Sequence, residues 1–89
     1  MHNELGQIVK RGSNLTEFIE IQFDDRSSRS LDRWGGSFVI SDDVAIDLHD
    51  QCDLKMFDGR KGAIVPYRRE ATEDGRTVIY FTGVEALRD

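Results

Sequence analysis

Two Asp-Gly-Arg triplets, Asp58-Gly59-Arg60 and Asp74-Gly75-Arg76, interrupt runs of β-type residues in the C-terminal third of the chain. Asp-Gly is a favoured pair for tight reversals, because its glycine tolerates the positive φ that a hairpin turn requires. The first triplet follows Leu54-Lys55-Met56-Phe57, and the spacing predicts a hairpin with a two-residue type I′ turn. In that register Phe57 faces Arg60, Met56 faces Lys61 and Leu54 faces Ala63, so Leu54, Met56, Ala63, Val65 and Tyr67 share one face. Pro66 lacks an amide hydrogen and belongs at an edge, a bulge or a non-pairing side. The loop from Glu70 to Arg76 turns the chain back into Thr77-Val78-Ile79-Tyr80-Phe81, whose large apolar groups on both faces suit a strand covered from two sides. Leu54 to Phe81 is therefore expected to form a three-stranded antiparallel meander. Gly83 is expected to end it, with Val84 and Leu87 tucking the tail back. The two triplets fall short of an internal repeat, and their arginines read as solvated residues at strand starts.

The first half is less regular. Ile8 and Val9 anchor a short strand over Gln7 to Lys10, and Ile19, Ile21 and Phe23 alternate with Glu20 and Gln22 in a strand over Glu17 to Phe23. From Asp24 to Gly36 only Leu31 and Trp34 are large and apolar, so residues 24–36 read as a mobile polar connection ending at Gly35-Gly36. Ser37 to Ile40 resumes the β pattern, with Phe38 and Ile40 opposite Val39. Ser41-Asp42-Asp43 offers a capping hydroxyl and two acids at the start of a helix, and Val44, Leu48 and Cys52 follow at i, i+4 and i+8. A helix of about two to three turns is expected near 42–51, exposing Asp43, Asp47 and Asp50. The competing pattern is the alternation of Val44, Ile46 and Leu48.

Composition bounds the rest. Eighty-nine residues make one small domain, 1–89, and 38% hydrophobic with 33% charged residues suits a folded chain. A formal charge of -5 argues against nucleic acid or an anionic membrane as partner. The N-terminus has no continuous apolar signal region, and nothing approaches the roughly 18 apolar residues of a span, so a cytoplasmic, bacterial-type protein is expected. Cys52 is the only cysteine and reads as a small buried hydrophobe.

No motif names an activity. Asp47, His49, Asp50, Cys52 and Asp53 are the densest set of potential ligands, but one cysteine and two histidines, the other being His2, do not make a structural zinc site. The aspartates also lack the spacing, central glycine and closing glutamate of a calcium loop. No metal, cofactor or catalytic residue is assigned, and a non-enzyme is expected. Arg26, Arg29, Arg33 and Trp34 could clamp a phosphate while the indole stacks on a base. Arg29-Ser30-Leu31-Asp32-Arg33 resembles the Arg-x-x-x-Arg motif of PilZ domains, small β-barrels that bind a cyclic dinucleotide. The family's downstream Asp/Asn-x-Ser-x-x-Gly motif is absent, so the resemblance assigns no family. The plainer role for Trp34 is to cover the open end of the core. Arg68 and Arg69 place one arginine on each side of their strand, as charges that discourage edge association.

The expectation is a mainly β domain of about five antiparallel strands with one short helix, as a bent sheet or an SH3-like partly open barrel. Its expected function is a non-catalytic interaction module. A protein partner or a second copy would dock on a sheet edge, or on whichever face of Val78/Tyr80 or Ile79/Phe81 stays uncovered. The alternative is a phosphate- or nucleotide-binding domain using Arg26, Arg29, Arg33 and Trp34.

Overall fold

In a computed structural model, described over residues 2–23, 34–41 and 43–88, the chain folds into antiparallel strands with no helix among the described residues. The strands are β1 (His2–Lys10), β2 (Ser13–Asn14), β3 (Ile19–Phe23), β4 (Gly35–Ser41), β5 (Cys52–Met56), β6 (Lys61–Ala71) and β7 (Arg76–Arg88). Six of them close into a barrel in the order β1-β3-β4-β7-β6-β5, and β2 adds to the end of β1. The expected meander is β5-β6-β7.

β1 closes the ring. Its residues His2 to Gly6 pair with β3, and Gly6 to Val9 pair with β5, so the strand changes partner at Gly6. The alternation seen in sequence is kept: Ile21 and Phe23, Phe38 and Ile40, Cys52, Leu54 and Met56, and Ile79 and Phe81 all enter one core with Ile8 and Ile64.

Both Asp-Gly reversals are hairpins, but of a different size from that expected. Met56 N donates to Arg60 O and Gly59 N to Met56 O, which makes Phe57-Asp58-Gly59 a three-residue loop, with Gly59 at φ 99°. Asp58 has negative φ, so the turn is not type I′. Thr72 and Arg76 repeat the arrangement around Gly75 at φ 84°. The extra loop residue moves the register by one: Lys55 faces Lys61, Leu54 faces Gly62 and Cys52 faces Ile64. A shift of one reverses the faces of a strand. Ile64 and Pro66 are buried where Val65 and Tyr67 were expected, and Tyr67 is 49% exposed. The reason is polarity, since this register puts the apolar Ile64 in the core and leaves the phenol, whose hydroxyl would need a buried partner, in water. A bulge between Pro66 and Arg68 accommodates the irregular pairing with β7.

Three further expectations are corrected. Gly35-Gly36, placed in the connection expected over 24–36, opens β4, while residues 24–33 of that connection lie outside the described set. A Cβ at Gly36 would lie 1.9 Å from Gln22 O, so the glycine permits close pairing with β3. Gly83 lies within β7, which continues to Arg88. The helix near 42–51 is replaced by a loop. Ser41 Oγ donates to Asp43 Oδ1 at 2.6 Å and Val44 N donates to Ser41 O at 3.1 Å, making one isolated turn from the capping residues. The alternating pattern is the one used: Ile46 is buried, while Val44 and Leu48 are half-buried. A short helix is marginal by itself, and here the backbone and its flanking side chains find tertiary partners. His49 N donates to Pro66 O at 2.7 Å, Arg69 Nη2 donates to Ile46 O, and Lys10 Nζ reaches Asp47 at 3.3 Å and Asp50 at 3.1 Å.

No helix among the described residues is long and apolar enough to cross a membrane.

Candidate functional site

Of the arginine and tryptophan group, Arg26, Arg29 and Arg33 lie outside the described residues, and Trp34 belongs to the core. Its side of the barrel is closed by the indole, 8% exposed, against Phe23 at 6.0 Å and Phe81 at 5.9 Å between ring centroids. Gly83 N donates to Trp34 O, and a Cβ at Gly83 would lie 2.0 Å from the indole ring. The ring therefore rests on the backbone of β7. It covers the core and presents little π-surface for stacking on a base.

The sequence-derived surface on β7 divides into two faces. Ile79 and Phe81 line the interior, so they are unavailable to a partner. Val78 and Tyr80 face outward and are half-buried. Tyr80 Oη donates to Glu70 Oε2 at 2.8 Å, Arg68 Nη2 lies 2.7 Å from Glu70 Oε1, and the Arg68 guanidinium stands 5.4 Å from the Tyr80 ring centroid. The hydrogen bond to Glu70 holds the Tyr80 phenol above its ordinary pKa. This outer strip is partly occupied by its own polar neighbours. β6 pairs with β5 only over Lys61 to Ile64, so Arg68 and Arg69 pair with β7 alone, and on the side that β5 leaves open Arg69 Nη2 donates to Ile46 O.

The dense acidic segment also has an internal role. The Lys10 ammonium sits between Asp47 and Asp50, and those bonds, Asp50's foremost, raise its pKa. Cys52 is buried, and desolvation raises its thiol pKa, which disfavours the reactive thiolate. No group of three metal-binding side chains occurs among the described residues.

A surface missed in the sequence reading lies across β1. Phe57 is 70% exposed, Phe18 40% and Leu5 45%. The Phe18 and Phe57 rings meet edge to face at 5.4 Å, although they approach β1 from opposite sides, one from the start of β3 and the other from the β5-β6 turn. Phe57 N donates to Leu5 O at 2.9 Å and ties the turn to β1. Arg60 bridges the same turn to β1 by pairing with both Glu4 and Asp58. The first arginine is thus a strut between strands, whereas Arg76 is solvated as expected, 3.5 Å from Asp74. The Arg60 amide is the main cause holding the Asp58 carboxyl below its ordinary pKa.

The sequence did contain a signal for this patch. Phe18 is out of phase with Ile19, Ile21 and Phe23, and Leu5 is out of phase with Ile8; Phe57 occupies a turn, where a side chain has few neighbours. No protein-family model, curated protein or solved structure matches the chain. Its class is that of a small closed antiparallel β-barrel with an exposed aromatic patch on the outside.

Proposed function

We propose that this chain is a non-catalytic cytoplasmic interaction module that docks a protein through the outer face of its barrel. The observation carrying this reading is the exposed Phe18-Phe57 pair beside Leu5. Aromatic side chains that cross strands and remain in water are costly to display, and they are the type that anchors protein interfaces. The hairpin latch at Leu5 O and the Arg60 bridge support the face from beneath. A prepared surface loses less entropy on binding than a floppy one.

The test is photo-crosslinking in cells, with benzoylphenylalanine placed at position 57 or, as a control, at position 67 on another exposed part of the barrel. The expected outcome is discrete protein adducts from position 57 and few from position 67. Equal labelling at both positions, or no protein adduct from position 57, overturns the proposal.

A further inference from the structure

The charges around the patch are divided by side, and this division indicates what covers it. Glu17 and Glu20 are exposed on the β3 side of β1, with Glu20 directly opposite Leu5. Lys55 and Lys61 are exposed on the other side, where they face each other across β5 and β6, and Lys55 also faces Gln7. Two like charges directly opposite in a sheet repel, yet neither lysine forms an ion pair among the described residues, and neither do the two glutamates. On the lysine side, Asp58 is already engaged by Arg60, and the exposed Asp53 stands opposite Val9, beyond Lys55 and farther along β1 from Leu5.

We infer that the face binds a second copy of the chain, related by a two-fold axis running along β1. This rests on the docking role of the aromatic patch and specifies its partner. Rotation about that axis exchanges the β3 and β5 sides. Glu17 and Glu20 of each copy then meet Lys55 and Lys61 of the other, while the Leu5, Phe18 and Phe57 patches meet at the centre. An apolar centre with acids on one side and lysines on the other is self-complementary, as an isologous contact must be. A partner of uniform charge would be repelled by one side. The chain's formal charge of -5 opposes association at long range. At physiological salt that repulsion is screened beyond about 8 Å, whereas contacting pairs are screened less.

Complementary charge reversal tests the arrangement by sedimentation over a concentration series. One variant carries Lys55→Glu with Lys61→Glu, and the other Glu17→Lys with Glu20→Lys; all four side chains are exposed, and thermal melts check the fold. The wild type is expected to dimerise, each variant alone to self-associate at least about tenfold more weakly, and their equimolar mixture to recover the wild-type mass. Wild type that remains monomeric at millimolar concentration overturns the inference. So does a dimer equally strong in both variants, because it uses another surface. If the variants fail to fold, purified protein with benzoylphenylalanine at position 57 decides: an adduct of twice the chain mass joined to the Leu5 and Phe18 region supports the inference, and its absence overturns it. Adducts in cells to other proteins only, with a monomeric wild type, remove the second copy and leave the docking role standing. No protein adduct at all from position 57 removes both.

Discussion

At the end of the barrel where β4 begins, one indole seals the core, whereas at the end where β4 runs out the seal is a loop that includes Ile46. The first closure is dense and depends on shape: Trp34 packs on Phe23 and Phe81 and occupies the space that a side chain at Gly83 would need. The second is assembled from an apolar plug and polar ties, from Arg69 to Ile46 O, from His49 N to Pro66 O, and from Lys10 to Asp47 and Asp50. Packing at the first end leaves little room to relax. The ties at the second are exposed or half-exposed, so that end is expected to open at lower free energy.

The most damaging change is expected to be Trp34→Ala, which removes the whole seal and lowers stability by about 3–5 kcal/mol in chemical denaturation. Gly83→Val should cost about 3 kcal/mol by forcing the indole out, observed as a red shift of Trp34 emission. Combining the two should cost less than their sum, because the valine enters space the indole has left; strict additivity would mean that the two residues do not share that space. At the other end, Ile46→Ala should cost about 2 kcal/mol, as the loop can settle partly into the void. Its signature is faster reaction of Cys52 with a thiol reagent and unchanged Trp34 emission, and a shift at both reporters would make the two ends one cooperative unit.

The smallest effect is expected from Lys10→Met, with little change in the melting midpoint, faster Cys52 labelling and no further acceleration by salt. Wild-type labelling should accelerate with salt, because the Lys10 pairs are exposed. Since Asp50 and Asp47 raise the folded-state pKa of Lys10, its contribution is complete below the ordinary lysine range and is lost as pH rises through the raised value. Denaturation titrated across that alkaline window, compared with Lys10→Met at each pH, measures it.

The same contrast explains what was readable in sequence. Trp34 as the cover of an open end follows from its being a lone large amphipathic ring in a polar stretch. The loop did not follow, because Ser41-Asp42-Asp43 and the i, i+4, i+8 spacing of Val44, Leu48 and Cys52 satisfy the local rules of a helix, and the partners that hold the segment in its loop come from β1 and β6. The candidate surface was half legible. Phe18 and Leu5 are visibly out of phase with their strands, but their approach to Phe57 depends on a closure of β1 onto β5 that spans much of the chain.

Local pattern along the chain specified that most of it is antiparallel strand, where two reversals fall, and which residues of β3 and β4 face inward. These properties rest on side-chain alternation and backbone torsional preference, which act between neighbours along the chain. Only packing between distant segments set the loop size and one-residue register of β5 against β6, the face of β7 that turns inward, the non-helical path after Ser41, and the joining of β1 to β5 that closes the ring. Each of those depends on filling one shared volume with side chains from distant segments, a condition that no local pattern can express.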